Sequence, residues 1–341
     1  MAPLVVSLAW PVGEERMARL QALSPDLELQ DVVALVRGEY RLSRQGESAE
    51  LQQVRRALDA ALARTHVYFG RDLPPDLLQR APHLRWVQLM SAGVDNHVTP
   101  QMLRSHVLFT SGRGIAGYAI AEFVVCWMLM LVKRMPLIME RQRQRVWDRR
   151  DVVTSELRDK TLGVVGLGSI GGELARLARA FHMRVLGVRR SATTRQEATD
   201  GVDVLYPPAE LPEVLRASDF VALCIPLTPE TQGLIGEAEL RQMRPSAYLI
   251  NVGRGGLVDE AALARALREG WLAGACLDVV GQEPLPPQSE LWTLPNLLIS
   301  PHTSGNIDRY MDYAMDLFQE NLGRYLRGEP LRNVVDPDAV T

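Results

Sequence analysis

Short apolar runs alternate with longer amphipathic segments along most of the chain. Leu4–Leu8 and residues 67–69 and 84–90 are compact apolar runs that predict strands, whereas residues 49–63 repeat apolar side chains at the 3.6-residue spacing of a helix. A second series of the same kind extends from residue 161 to residue 302. This alternation is typical of an α/β protein, in which helices cover the faces of parallel sheets.

The most apolar helical segment is predicted at residues 118–134, and we expect Pro136 to terminate it. Its longest uninterrupted apolar stretch, residues 123–132, is shorter than the roughly 20 residues that a membrane-spanning helix needs. On a monomer this helix would expose a large apolar face, so we expect a homodimer that covers the face across a two-fold axis. A core helix within one subunit is the alternative.

Composition narrows the class of protein. A length of 341 residues suits two domains, and 47% hydrophobic with 23% charged residues excludes a disordered or fibrous chain. The formal net charge of −3 gives no overall positive field, so we expect neither nucleic acid nor a membrane surface as a partner. The three cysteines are widely spaced and the first residues lack the basic segment of a signal peptide, which favours a cytoplasmic location.

A glycine-rich turn follows the apolar strand predicted at residues 162–165 and precedes a predicted helix. It contains Gly166, Gly168 and Gly171, with Ser169 and Ile170 between the last two glycines. Backbone amides approach a diphosphate closely where no side chain intervenes, the helix N-terminus adds partial positive charge, and the third glycine permits tight helix–strand packing. The turn therefore predicts a Rossmann dinucleotide-binding unit.

The second strand of this unit, predicted at residues 182–188, ends without the acidic residue that binds the adenosine ribose of NAD. Arg189, Arg190 and Ser191 stand there instead. Guanidinium groups and a hydroxyl bind a 2′-phosphate, which a carboxylate would repel. We therefore expect NADP(H) to be preferred, with NAD(H) possible. Two solvated arginines at a strand end are the alternative interpretation.

Three later segments carry candidate catalytic residues. They are residues 249–260 with Arg254, residues 277–284 with Asp278 and Glu283, and residues 298–305 with His302. Together with the glycine-rich turn, these segments resemble the D-isomer-specific 2-hydroxyacid dehydrogenase family in their order and spacing. The resemblance extends over most of the chain.

The resemblance implies a role for each candidate. His302 is expected to be the general acid–base, Glu283 its carboxylate partner, and Arg254 the residue that grips the substrate. The backbone amides of the loop that begins Ser91-Ala92-Gly93-Val94-Asp95 are expected to hold the substrate carboxylate. The implied cofactor-binding residues are Gly166, Gly168, Ser169, Ile170, Gly171, Arg189, Arg190, Ser191, Cys224, Pro226, Thr231, Val252, Gly253, Asp278, His302 and Ser304.

The chemistry of the side chains agrees with these roles. Hydride transfer to a keto carbon places negative charge on its oxygen, which then needs a proton and a fixed positive group. An imidazolium supplies the proton, a guanidinium supplies the charge, and a carboxylate beside the imidazole orients the ring. The cofactor carries the redox chemistry, so no metal is required.

The resemblance also implies two Rossmann-like domains with a cleft between them. The substrate domain is expected at residues 1–106 and 303–341, and the dinucleotide-binding domain, with the dimerisation helix, at residues 107–302. The expected activity is NADPH-dependent reduction of a small 2-keto acid such as glyoxylate or hydroxypyruvate. The alternatives are an NAD-dependent D-lactate or phosphoglycerate dehydrogenase and, from another class, a dinucleotide-sensing corepressor. The complete His302, Glu283 and Arg254 set favours catalysis.

Overall fold

The structure is a computed structural model that describes residues 3–94 and 97–336. These residues divide into two units. The first contains the described residues up to Ile115 and those from Asp308 onward, and the second is Ala116–Ile307. The chain thus crosses from the first unit to the second after Ile115 and returns after Ile307, whereas the sequence predicted these two crossings near residues 107 and 302. Leu108–Thr110 pairs as a strand in the sheet of the first unit, and the backbone amides of Thr303 and Ser304 are bound within the second.

The first unit is built on a five-stranded parallel sheet. In pairing order the strands are β2 (Leu27–Asp31), β1 (Leu4–Leu8), β3 (Val67–Gly70), β4 (Trp86–Leu89) and β5 (Leu108–Thr110). The helices before the first crossing are α1 (Glu14–Gln21), α2 (Val33–Ser43), α3 (Ala49–Leu62), α4 (Leu77–Arg80) and α5 (Pro100–Leu103).

Apolar side chains cover both faces of this sheet. On one face, Leu58 and Leu62 of α3 pack in a cluster with Val87 of β4. On the other, Phe318 stacks on Phe69 with ring centroids 4.4 Å apart. Phe318 lies in the helix that follows the second crossing, so the chain returns to the first unit to complete its core.

The second unit is built on an eight-stranded sheet that is parallel except for its β8–β9 hairpin. In pairing order the strands are β13 (Leu297–Ile299), β12 (Gly274–Leu277), β11 (Tyr248–Asn251), β10 (Phe220–Leu223), β6 (Thr161–Val165), β7 (Arg184–Val188), β9 (Val204–Tyr206) and β8 (Gln196–Glu197). Its helices are α6 (Gly117–Val132), α7 (Met135–Gln144), α8 (Ser169–Ala180), α9 (Leu211–Ala217), α10 (Glu237–Leu240) and α11 (Glu260–Glu269), and the returning helix of the first unit is α12 (Tyr310–Leu326).

Helix α6 has one buried side and one side that is more exposed. Val124 and Met128 are fully buried in a cluster with Leu174 of α8, so the helix contributes to the core of its own unit. On its other side Tyr118 is 48% exposed and Cys126 is exposed. The expected uncovered apolar face is therefore narrower than the whole helix.

Most predicted elements are confirmed, with two differences. Pro136 does not simply terminate α6. It lies in the first turn of α7, where the missing N–H of proline is not needed for a helical hydrogen bond. The strand predicted from residue 182 begins at Arg184, because His182 has a left-handed backbone (φ 57°) in the turn after α8.

Candidate functional site

The predicted functional segments of the second unit follow the carboxyl ends of neighbouring parallel strands. The glycine-rich turn follows β6, Arg254 follows β11, Asp278 follows β12, and His302 follows β13. Chain order reverses at β6, which has β7 on one side and β10 on the other. Ligands of open α/β sheets bind beyond the carboxyl ends of the strands at such a switch point.

His302 and Glu283 form a hydrogen-bonded pair. His302 Nδ1 lies 2.8 Å from Glu283 Oε2, and Glu283 Oε1 accepts a hydrogen bond from the Val280 amide at 3.2 Å. Because an ionised carboxylate only accepts, Nδ1–H donates, and Nε2 is the ring nitrogen left for a substrate. Nε2 has no hydrogen-bond partner among the described residues. The half-exposed imidazole is thus oriented but remains accessible.

Asp278 holds the loop that carries His302. Its carboxylate is 2% exposed and accepts hydrogen bonds from Ser300 Oγ (2.5 Å), the Thr303 amide (2.8 Å), and both the amide (3.2 Å) and the hydroxyl of Ser304. Its carbonyl oxygen accepts the His302 amide at 2.8 Å. His302 itself has φ 54°, a left-handed conformation that is costly for a residue with a Cβ atom. The network around Asp278 therefore maintains a strained backbone at the predicted catalytic residue.

Arg254 lies in a turn organised by Asn251. The Asn251 side chain accepts from the Gly253 amide at 3.0 Å and donates to the Arg254 carbonyl at 2.8 Å. A Cβ atom at Gly255 would lie 2.0 Å from the Val280 carbonyl carbon, so only glycine lets this turn approach the segment after β12 so closely. Val280 in turn donates to Glu283, which connects the Arg254 turn to the His302–Glu283 pair.

The three glycines of the β6–α8 turn have the properties that a diphosphate site requires. Gly166 has φ 95°, and a Cβ atom there would lie 2.4 Å from Ile225. A Cβ atom at Gly168 would meet nothing within 4 Å, so the turn borders open space, whereas one at Gly171 would lie 1.9 Å from the Gly166 carbonyl oxygen. The first turn of α8 presents its backbone amides beside that space. The residues present therefore fit a dinucleotide.

Arg189, Arg190 and Ser191 form a tight turn directly after β7. The Ala192 amide donates to the Arg189 carbonyl at 3.1 Å, which places Arg190 and Ser191 at the exposed corner. The Arg189 guanidinium donates to Asp200, whereas Arg190 makes no hydrogen bond or ion pair within residues 3–94 and 97–336. The two arginines are thus in different environments.

The Cys224–Thr231 segment leaves the sheet after β10. Thr231 Oγ1 donates to the Pro226 carbonyl at 2.9 Å and accepts from the Thr228 amide at 2.7 Å, so the segment is folded into a compact turn. The protein surrounding the Cys224 thiol removes water from it and raises its pKa to about 12. Cys224 therefore has no reactive thiolate at neutral pH. The neighbouring predicted residues Val252 and Gly253 are buried, and the hydroxyl of Ser304 is directed to Asp278.

The predicted substrate loop belongs to the first unit and follows β4. Its residues Ser91, Ala92, Gly93 and Val94 are described, whereas Asp95 lies outside the described residues. The Ser91 carbonyl accepts the Gly112 amide at 2.8 Å, and Ser91 Oγ is buried with no hydrogen-bond partner in the described chain. A hydroxyl in this state is an available group for a polar ligand.

Tyr310 fixes the start of that loop. Its phenol donates to the Met90 carbonyl at 2.7 Å, and burial raises the pKa of the phenol above its ordinary value, so the group remains a donor. Gly112 packs on the same carbonyl, since a Cβ atom there would lie 1.9 Å from Met90 O.

Sequence reasoning missed several residues that position these groups. Asn251 could have been suspected from its place at a strand end three residues before Arg254, and Ser300 from its place two residues before His302. Nothing local singled out Tyr310, Gly112 or Asp200, because each acts on a segment distant in the sequence.

None of the described helices is long and apolar enough to cross a membrane. Within the same residues no group of three or more histidine, cysteine, aspartate or glutamate side chains could hold a metal ion.

Comparison with known proteins identifies the family. The family model for the D-isomer specific 2-hydroxyacid dehydrogenase, NAD binding domain, matches residues 125–304. A glyoxylate reductase of Aeropyrum pernix is 37% identical over 275 residues, which cover 78% of this chain and 80% of that protein. A D-3-phosphoglycerate dehydrogenase of Methanocaldococcus jannaschii is 31% identical over 267 residues, which cover 78% of this chain and 50% of that protein.

Among solved structures, an NADPH-dependent glyoxylate/hydroxypyruvate reductase from Sinorhizobium meliloti, in complex with NADP and sulfate, is 28% identical with a TM-score of 0.73, and the match covers 99% of both chains. The chain therefore belongs to the D-isomer-specific 2-hydroxyacid dehydrogenase family and is an oxidoreductase with a nicotinamide-dinucleotide-binding domain.

Proposed function

We propose that this protein reduces a small 2-keto acid, glyoxylate or hydroxypyruvate, to the D-2-hydroxy acid with NADPH. The observation that carries the proposal is the His302–Glu283 pair, joined at 2.8 Å beyond the carboxyl end of β13. The similarity to glyoxylate reductases supports the substrate class, and the Arg189–Arg190–Ser191 turn supports the choice of NADPH.

Each side chain has a separate role in the reaction. His302 Nε2 gives its proton to the keto oxygen, while Glu283 fixes the ring through Nδ1. Arg254 binds the substrate and offsets the negative charge that develops on that oxygen, and the amides of Ser91–Val94 bind the substrate carboxylate. The nicotinamide supplies the hydride when it is bound.

The cofactor would be held by groups at the carboxyl edge of the second sheet. Gly166, Gly168 and the first turn of α8 would hold the diphosphate, and the turn after β7 would hold the 2′-phosphate. The remaining part of the cofactor site would be lined by two segments and one further residue. These are the segment with Cys224, Pro226 and Thr231, the segment with Val252 and Gly253, and Ser304. The family resemblance implies that Asp278 contacts the nicotinamide carboxamide. That contact would have to share oxygens that already accept from four donors, so we propose that the main role of Asp278 is to hold the His302 loop.

Steady-state kinetics with purified protein test this function. NADPH and NADH are each supplied with glyoxylate, hydroxypyruvate, pyruvate, a branched-chain keto acid and 3-phosphohydroxypyruvate. We expect turnover with the first two acids, and faster with NADPH. His302→Ala should abolish turnover while NADPH still binds, and His106→Ala, which removes an exposed histidine of the first unit, should leave both unchanged. Turnover that survives in His302→Ala would contradict the assignment.

Two other functions are distinguished by the same assay. Selective use of 3-phosphohydroxypyruvate would identify a phosphoglycerate-type dehydrogenase, a function that a 31% identical relative carries, and pyruvate with NADH would identify a D-lactate type. Tight dinucleotide binding without turnover on any acid would favour a sensing protein.

We also propose that the chain forms a homodimer through the exposed side of α6. Tyr118 is 48% exposed there, and Phe123 on the same helix is only partly buried. Sedimentation analysis of Tyr118→Glu should show weaker association than the wild type. A wild-type protein that sediments as a monomer at micromolar concentration would refute the proposal.

A further inference from the structure

The two arginines at the end of β7 differ in their ion-pair partners. Arg189 donates to Asp200, a residue eleven positions later in the chain. Asp200 lies in the turn between β8 and β9, and the turn lies beside the first half of β7. Asp203 Oδ2 accepts the Val185 amide at 2.7 Å, and the Gly201 carbonyl accepts from Arg179 at 3.4 Å, at the carboxyl end of α8.

The turn also reaches the second half of β7, because a Cβ atom at Gly187 would lie 3.2 Å from Val202. Val204 at the start of β9 pairs with Leu186 in the middle of β7, whereas Arg189 follows the end of β7. The Arg189 guanidinium is therefore bound on the side of β7 that faces β9, whereas the glycine-rich turn lies at the carboxyl edge after β6, on the other side of β7. The Gly166 amide, which donates to the Val188 carbonyl at 2.9 Å, marks that edge.

Arg190 and Ser191 are at the corner of the turn at the carboxyl edge. Both are exposed, and Arg190 makes no hydrogen bond or ion pair with any residue that the structure describes. The charge of Arg190 also lowers the pKa of Glu230, after the larger effects of the Thr228 side chain and the Glu230 amide. Its guanidinium is therefore available to an anion at this edge.

We propose that Asp200 determines cofactor specificity by drawing Arg189 away from the 2′-phosphate site, so that Arg190 with Ser191 recognises the phosphate. This inference rests on the proposed preference for NADPH. The end of β7 thus has arginines where NAD-binding proteins have an acidic residue, and the acidic residue Asp200 of the β8–β9 turn restrains one of these arginines.

The fold of the Asp200 turn makes a clean substitution possible. Asp200 (φ 52°) and Gly201 (φ 76°) are the central residues of a turn closed by a 3.0 Å hydrogen bond from the Val202 amide to the Thr199 carbonyl. Two successive positive φ angles are those of a type I′ turn, for which Asn-Gly is as suitable as Asp-Gly. Asp200→Asn therefore removes the charge and keeps the backbone.

Titration calorimetry with NADPH and NADH on the full chain tests the proposal. Arg190→Gln should weaken NADPH binding about ten- to hundredfold, because a hydrogen-bonded charge pair is lost, and should change NADH binding less than twofold. Arg189→Gln should weaken NADPH binding less than threefold. Asp200→Asn should tighten NADPH binding about three- to fivefold, because a freed guanidinium turns towards the phosphate.

The double variant and a matched control make the result decisive. In Arg189→Gln/Asp200→Asn the gain should disappear, because it requires the Arg189 guanidinium. Arg195→Gln removes another exposed charge that is ion-paired, to Glu210 at 2.6 Å, and should change neither affinity. An Arg189→Gln loss as large as that of Arg190→Gln, or a gain that persists in the double variant, overturns the proposal.

Failure of the proposed NADPH preference gives a different pattern. A wild type that binds NADH as tightly as NADPH refutes that preference, yet an NADPH gain in Asp200→Asn that depends on Arg189 still supports the role of Asp200. No gain in Asp200→Asn refutes that role whichever cofactor the wild type prefers.

Discussion

Replacing Asp278 by Asn should destabilise the second unit and impair catalysis together. The Asp278 carboxylate is buried and accepts from four donors, two of which are backbone amides of the strained His302 loop. An amide side chain offers one accepting oxygen and places an NH₂ group against donors. Each bond to a charged acceptor contributes about 1.5–3 kcal/mol, whereas a neutral one contributes about 1 kcal/mol.

The serine hydroxyls can rotate to accept from the new NH₂ group, so two of the four interactions are partly recovered. Weakening the remaining two by about 0.5–2 kcal/mol each lowers the free energy of unfolding by about 1–4 kcal/mol. With a urea m-value of about 2–3 kcal/mol/M for this unit, the midpoint of unfolding should fall by about 1 M. The turnover number should fall at least about tenfold, because His302 loses the support of its left-handed backbone.

Urea unfolding followed by circular dichroism, in parallel with keto-acid kinetics, measures both effects. Asp203→Asn is the matched control. Asp203 accepts one backbone amide, that of Val185 at 2.7 Å, which an Asn oxygen can still accept, so only one interaction with a charged acceptor weakens and its midpoint should move no more than about half as far. An Asp278→Asn midpoint equal to that of the wild type, with weakened NADPH binding as the only defect, would show that Asp278 serves the cofactor and not the loop.

Three further predictions concern other parts of the chain. Tyr310→Phe removes the hydrogen-bond donor to the Met90 carbonyl. The KM for the keto acid should therefore rise about three- to tenfold while the Kd for NADPH stays unchanged. An equal change in both constants would contradict a role of Tyr310 in positioning the substrate loop. His66 Nδ1 accepts a hydrogen bond from the Val5 amide. Burial, and to a smaller extent the charge of Arg85, lowers the pKa of His66 below 6.5. The contribution of His66 to the free energy of unfolding should therefore be complete above pH 6.5 and decline as the pH falls below that value. His66→Asn keeps an acceptor and should lose that pH dependence of the urea midpoint between pH 7 and 5; a slope as steep as that of the wild type would refute the assignment. In native protein at pH 8, a thiol reagent should leave Cys224 and Cys276 unmodified, because burial raises the pKa of both thiols. Modification of more than one thiol per chain would contradict this.

Much of the fold and site was predictable because the relevant signals are local. A strand such as Leu4–Leu8, a helix such as α3 and the glycine-rich turn after β6 are determined by residues adjacent in sequence, through periodicity, β-branched runs and the absence of a Cβ atom. The His302–Glu283 pair was predictable from a motif, and the structure joins the two side chains.

The exact ends of elements were less predictable. In the sequence, Pro136 is equally compatible with the end of one helix and with the first turn of the next, because proline is excluded only from helix interiors. The boundary between the units also depended on pairing, since β5 joins the first sheet through contacts with β4 that no local pattern reveals.

The sequence by itself determined which residue types stand at the strand ends, and therefore the class of chemistry. Only the tertiary structure decided which partners those residues have. Parallel strands bring distant segments together at one edge of a sheet, so Asp278 supports the loop of His302. Packing of other segments joins Tyr310 to the carbonyl before Ser91 and Asp200 to Arg189. A hydrogen bond depends on positions in space, and strand order, which the sequence does not state, sets those positions.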